Sequence, residues 1–170
     1  MVLSGAKIRE WISSGKIRTN GVDLHFGTNS VDVTLGKQFL LPVPCAGDVE
    51  LGSGIFREYY SDTLVLPSGG FALGVAAEWF AISGPWAPMY EGRSTAARSG
   101  LFTHLSAGYG DVGFSGAFTL ELYNASPNRL VLRAGTRIGQ VSFVRVWGGV
   151  ATPYNGVYNT PNIHGPKGIK

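Results

Sequence analysis

The chain has 170 residues, 44% hydrophobic and 15% charged, which suits one globular domain with a buried core. Its formal net charge of +3 arises from scattered Lys and Arg without a run of like charge, which argues against a broad nucleic-acid-binding face and for a small anion held at one point. No apolar run reaches the roughly 18 to 20 residues of a membrane helix, the N-terminus lacks the apolar stretch of a secretory signal, and a single cysteine, Cys45, excludes an internal disulfide. The expectation is a cytoplasmic protein with neither membrane nor nucleic acid as a partner.

Turn-prone residues, 25 Gly and 9 Pro, are spread between short apolar runs and predict a mainly β chain. A short helix comes first: Ser4 is placed as its N-cap, Ile8, Trp11 and Ile12 recur at i, i+3 and i+4, and Ser13-Ser14-Gly15 stops the pattern. From Val31 the signals are strand-like. VDVTL is followed by KQFLLPV, which Pro42 and Pro44 end, and DTLVL precedes the turn at Pro67-Ser68-Gly69-Gly70. Further strands are expected at Phe71 to Val75, Trp79 to Ser83 and Leu101 to Leu105. AFTLELY alternates most clearly, with Phe118, Leu120 and Leu122 facing one way and Ala117, Thr119, Glu121 and Tyr123 the other. LVLR, a turn at Ala134-Gly135 and IGQVSFVRV complete the sheet. From Trp147 the composition shifts to Gly, Pro, Asn and Tyr, which predicts an extended tail over 147–170 with little packing of its own, behind a β domain over 1–146.

Chemistry concentrates in three places. In EGRSTAARSG, residues 91–100, Pro85 and Pro88 precede and Gly100 follows a segment whose alanines favour one or two helical turns over Ser94 to Arg98. Free N–H groups at its start, the hydroxyls of Ser94 and Thr95, and Arg93 would converge on an anion, and Ser94 and Arg98 share a face; taken alone, a surface helix with solvated arginines fits as well. Glu121 projects from an otherwise apolar strand toward either solvent or a ligand. The glycine-flanked loop SAGYGDVGFSG, residues 106–116, would bring backbone and Asp111 close to a ligand or serve as an ordinary hairpin connection. His25, His104 and His164 lie far apart, no His-x-Glu occurs, and one cysteine cannot build the thiolate-rich site of a zinc deaminase, so no protein-held metal is expected. The phosphate-loop, dinucleotide and serine-hydrolase motifs have no foothold.

In order and spacing, GRSTAARSGLFTHLSAGYGDVGFSGAFTLELYN followed by LRAGTRIGQVSF resembles the dCTP deaminase branch of the trimeric dUTPase superfamily, whose members read GRSS-x-x-R, T-A-x-x-x-D-x-G-[WF]-x-G, a strand containing L-E, and R-x-G-x-x-I-G-x-L. LSGAKIREW, NSVDVTLG, FALGVAAEW and Pro153-Tyr154-Asn155 extend the likeness over most of the chain. The resemblance implies a dUTPase-like distorted antiparallel β barrel, assembled as a homotrimer with active sites between subunits. It implies a deoxycytidine nucleotide as substrate, dCTP going to dUTP and ammonia. By position, Arg93, Ser94 and Thr95 match the triphosphate-binding start of the motif, Ser94 and Arg98 the pair supporting the chemistry, and Glu121 the general base. Asp111 matches the carboxylate near the sugar, which in dUTPase relatives orients the attacking water. Ala107 lies where the pocket closes on the pyrimidine, Tyr109 is counted with it as substrate-binding, and Tyr154 matches a phosphate-contacting tyrosine.

That allocation is chemically coherent. Deamination needs water to attack the ring carbon bearing the amine and a proton to reach the departing nitrogen, and one carboxylate, Glu121, can move both protons if partial desolvation keeps it basic enough. Arg98 and Ser94 would offset the developing charge without a metal, while magnesium would be bound through the nucleotide phosphates, with no zinc. The tail departs from the family: VYNTPNIHGPKGIK replaces a K-Y-x-x-Q-like stretch, leaving Lys167 or Lys170 as substitutes for the phosphate contact, or a substrate with fewer phosphates. AGYGDVGF is similar to members that also hydrolyse dUTP to dUMP and pyrophosphate. The alternatives are a dUTP pyrophosphatase alone and a non-catalytic nucleotide-binding regulator.

Overall fold

The computed structural model describes residues 1–20, 23–150, 152–156 and 158–159. Helix α1 spans Gly5–Ser13, with the Ser4 hydroxyl accepting from the Lys7 amide at 3.2 Å as the expected N-cap. It buries Ile8 and Trp11; Trp11 meets Trp86 edge-on at 5.1 Å, and the Lys16 ammonium lies 3.6 Å from the Trp11 ring centre.

The strands are β1 (Ile17–Thr19), β2 (Val31–Pro42), β3 (Phe56–Tyr60), β4 (Thr63–Leu66), β5 (Phe71–Ile82), β6 (Trp86–Gly92), β7 (Leu101–Phe102), β8 (Ser115–Asn124), β9 (Leu130–Arg133) and β10 (Arg137–Arg145), with helix α2 (Ser94–Arg98) between β6 and β7. The main sheet runs β6-β10-β2-β5-β8-β7, with β1 on β5 and β3 on β2, while β4 and β9 form a separate pair. Every described pairing between strands is antiparallel. The sheet curls until its ends nearly meet: Tyr109, in the loop after β7, bridges Met89 of β6, and the Tyr90 amide donates to Gly108 O at 2.7 Å. The result is a barrel-like sheet filled by Val31, Val33, Leu35, Phe39, Phe80, Leu120, Leu122, Val141 and Phe143, all buried.

Along β8 the alternation is as expected: Phe118, Leu120 and Leu122 are buried, and Thr119, Glu121 and Tyr123 face the other way, half-buried. Helix α2 has the expected bounds. Elsewhere sequence and structure part. VDVTL and KQFLLPV form one strand, because Gly36, which reads as a break, lets the Val75 backbone approach so closely that a Cβ would lie 2.9 Å from Val75 O, at a register shift between Leu35 and Phe39. Phe71–Val75 and Trp79–Ser83 likewise join into β5 across a register shift at Val75/Trp79. Strands β1, β3 and β6 were not expected; β6 carries Pro88, which argues against a strand in sequence, yet Pro88 pairs with Phe143. The strand expected over Leu101 to Leu105 stops at Phe102 because the following amides turn toward Glu121. The described residues of the tail make more contacts than expected: Tyr154 N donates to Val112 O at 2.7 Å and Asn159 reaches Gly113 and Ser115.

One buried carboxylate lies within the FALGVAAEW stretch itself. Glu78 of β5 is 2% exposed and accepts from the Thr34 amide at 2.7 Å and the Thr34 hydroxyl at 2.8 Å, with no ion pair among the described residues. Burial raises its pKa above the ordinary 4.5, only partly opposed by the Thr34 bonds. The folded state therefore holds the proton more tightly than the unfolded one, so this group's contribution is most favourable at low pH and is lost as pH rises from about 4.5 through the raised value. Glu78→Gln can accept from the Thr34 amide and donate to its hydroxyl. Thermal melts should show it more stable than the wild type at pH 7, with the gap closing toward pH 4 as the wild-type carboxylate takes up its proton.

Candidate functional site

Strand β8 presents Glu121 to the loop that leaves β7. Glu121 Oε2 accepts from the Leu105 amide at 2.8 Å and the Ser106 amide at 3.3 Å, whereas Oε1 has no hydrogen-bond partner among the described residues. One oxygen fixes the carboxylate's direction and the other stays open. Ala107, next in the loop, is exposed. The loop then runs beside β6: Gly108 O accepts from the Tyr90 amide and the Gly110 amide donates to Pro88 O at 2.8 Å. Glycine is required at 108, where a Cβ would sit 2.5 Å from Tyr90 O. Tyr109 is 61% exposed. Beneath the loop Tyr90 is buried, stacked on Phe118 at 5.6 Å and edge-on to His104 at 5.6 Å, and burial pushes its hydroxyl pKa well above the ordinary 10. His104 Nε2 lies 3.1 Å from Glu91 Oε2.

Arg93 takes the N-cap position of α2 in an extended conformation, φ −73° and ψ 143°, without a side-chain capping bond. Its guanidinium turns instead to Asp32 Oδ2 on β2, and Arg137 Nη1 of β10 lies 3.3 Å from the same oxygen. Asp32 is buried while Arg137 is about half exposed, so two cations share one carboxylate and leave one unit of positive charge at this end of α2. Ser94, Thr95 and Arg98 are exposed, and Arg98 takes part in no ion pair among the described residues. Helix α2 leads into β7, which pairs Leu101 with Asn124 and Phe102 with Tyr123 at the end of the strand that carries Glu121.

Asp111 is exposed and opens a turn in which the Phe114 amide donates to Asp111 O at 3.0 Å. Tyr154 of the tail lies against this turn.

A family model described as dCTP deaminase-like matches residues 2–146. The chain belongs to the dCTP deaminase-like family. As a member it is a hydrolase of the dCTP deaminase type. Among curated relatives, the "dCTP deaminase, dUMP-forming" of Coprothermobacter proteolyticus is 32% identical, covering 100% of this chain and 96% of that protein. The protein of the same description from Mycobacterium ulcerans is 34% identical over 91% of this chain and 85% of its own length. The "dCTP deaminase" of Rhodospirillum rubrum is 31% identical over 91% and 87%. The fold is shared with the 2'-deoxycytidine 5'-triphosphate deaminase from Agrobacterium tumefaciens, at a TM-score of 0.66 and 21% identity over 84% of this chain and 47% of that one. It is also shared with native EIAV dUTPase, at 0.55 and 12% identity over 83% and 98%. The dUTPase-like barrel expected from sequence is the fold of this family member.

Within one chain the expected site residues fall into neighbouring groups. Glu121 is joined to the loop of Ala107 and Tyr109, and Tyr154 to the loop of Asp111, but no hydrogen bond or ion pair among the described residues links Glu121 to Ser94 or Arg98. Lys167 lies outside the described residues. Sequence reasoning missed Asp32 and Arg137. In NSVDVTLG, part of the resemblance, the signal was a carboxylate set between two valines of a strand, Val31 and Val33, where burial demands a cation.

Proposed function

We propose that this chain deaminates dCTP and hydrolyses the resulting dUTP, giving dUMP, pyrophosphate and ammonia. The observation that carries the first step is the Glu121 carboxylate, fastened by Oε2 to two loop amides with Oε1 open. Oε1 takes a proton from water as the water oxygen bonds to the pyrimidine carbon bearing the amine and the ring C=N π bond opens onto the ring nitrogen, which receives that proton. The carboxylate then carries the remaining hydroxyl proton to the amine, whose bond to carbon breaks as the carbonyl forms and ammonia leaves. Ser94 and Arg98 steady the water and the charge developing beside it. In the second step Asp111 orients a water toward the α-phosphorus and accepts its proton; the water oxygen bonds to phosphorus as the bond from phosphorus to the bridging oxygen of pyrophosphate breaks, and dUMP remains. Two observations favour this dUMP-forming reading: several relatives spanning nearly the whole chain bear that description, and the AGYGDVGF loop carries its own carboxylate.

The open side chains of α2 fit a site completed by a second subunit. Phe102, Leu105 and Tyr109, each at least half exposed around the loop, are the apolar surface such an assembly would cover, in the homotrimer the resemblance implies. Ala107 and Tyr109 flank the base, while Arg93, Thr95 and Tyr154 face the phosphates, with Lys167 available from the tail. Magnesium would be held chiefly by the phosphate oxygens of the nucleotide, the ligands this hard cation takes in nucleotide sites. When bound there, it offsets phosphate charge. The reaction belongs in the cytoplasm, where its nucleotide substrates are.

Incubation with dCTP, dCMP or dUTP and magnesium, with products resolved by chromatography, tests this assignment. Turnover of dCTP and dUTP supports it. Turnover of dUTP alone favours a pyrophosphatase, and binding without turnover favours a regulator. Phosphate recognition has its own test: Arg93→Ala should weaken dCTP binding by about 10- to 100-fold, the loss of one hydrogen bond to a charged group, since Arg137 still neutralises Asp32. Wild-type affinity should fall as salt rises, and deoxycytidine should bind poorly. Calorimetry giving equal affinities for nucleoside and nucleotide would refute the anion site.

A further inference from the structure

We propose that Asn159 is a latch that fastens the tail to the Asp111 loop through hydrogen bonds between protein groups, and so positions Tyr154. Asn159 Oδ1 accepts from the Ser115 amide at 2.9 Å, while its Nδ2 donates to Gly113 O at 3.3 Å and to Tyr154 O at 3.1 Å. One half-buried amide therefore joins the first residue of β8, the turn after Asp111 and the tail tyrosine. The two segments are also complementary in shape. Gly113 has φ +95°, and a Cβ there would lie 2.9 Å from Pro153 Cβ and 2.9 Å from Tyr154 N, so glycine both makes the turn and admits the tail. Tyr154 N donates to Val112 O at 2.7 Å, and the Tyr158 amide donates to the Tyr154 hydroxyl at 3.3 Å, which restrains the ring. All of these bonds are between protein groups. In a tail without the lysine and glutamine of the K-Y-x-x-Q pattern, docking through protein contacts supplies what phosphate contacts would supply elsewhere.

The latch stands on these contacts alone; its kinetic consequence rests on the activity proposed above. The test is amide hydrogen exchange on the full-length protein without nucleotide, followed by steady-state kinetics with dCTP. In the wild type the Ser115 and Tyr154 amides should be protected. Asn159→Ala should cost each about tenfold or more in protection while the interior amides of β8 keep theirs, which shows the barrel intact. Asn159→Asp retains the acceptor for Ser115 but loses both donated bonds, so Ser115 should stay protected while Tyr154 does not. For Asn159→Ala, KM for dCTP should rise about tenfold with kcat within about twofold, the pattern of lost binding rather than lost chemistry. Unprotected Ser115 and Tyr154 amides in the wild type, or protection unchanged by Asn159→Ala, would overturn the latch. Lost protection with unchanged KM would overturn the positioning role. A protein that shows the expected exchange pattern but turns over no dCTP would count against the proposed activity and leave the latch standing.

Discussion

Glu121→Gln is expected to lower ammonia release from dCTP by about 10²- to 10⁴-fold, the range over which a positioned acid–base group contributes. The substitution isolates the proton. The glutamine carbonyl can still accept from the Leu105 and Ser106 amides, which keeps loop and side chain where they are, but the amide nitrogen at the open position cannot take a proton from water. Binding of dCTP should survive within a few-fold, so kcat falls far more than KM changes. Ammonia release near the wild-type rate would remove Glu121 from the chemistry.

Asp111→Asn carries the second large effect, on a different product. Hydrolysis at phosphorus requires a carboxylate to orient water there, whereas deamination requires one at the ring, so the steps should depend on different residues. With dUTP supplied directly, Asp111→Asn should lower pyrophosphate release by about 10²-fold or more. With dCTP supplied, the ratio of dUTP to dUMP should rise steeply. Some deamination is expected to be lost as well, because the resemblance also implies a sugar contact for this carboxylate, which makes the product ratio the informative quantity. An unchanged ratio would show that Asp111 has no part in the second step.

The barrel was legible where one face is buried and the other is not. Along β8 the period of two is intact, so the alternation by itself sets Glu121 opposite the leucines. Helix α1 was equally plain, since its cap and apolar spacing are local. What sequence concealed lies where tertiary approach sets the conformation. Gly36 looks like punctuation and is instead the point where β2 passes close to Val75. Pro88 sits in a strand on backbone partners from β10 and from the Gly110 amide, which no local pattern announces. At the site, motif residues could be enumerated but not their partners. Arg93 reads as a free cation and is held by Asp32, 61 positions away, with Arg137 on the same oxygen. The tail reads as loose because its contacts are single hydrogen bonds to a distant turn, without an apolar period to reveal them.

The measurement closest to the central claim is the stoichiometry of products from dCTP. Purified wild-type protein with dCTP and magnesium should release one ammonia and one pyrophosphate for each dUMP formed, with both signals growing in parallel and free dUTP remaining low. Absence of ammonia, with dCTP recovered intact while added dUTP is cleaved, would contradict the account and reduce Glu121 to a wall of a pyrophosphatase site.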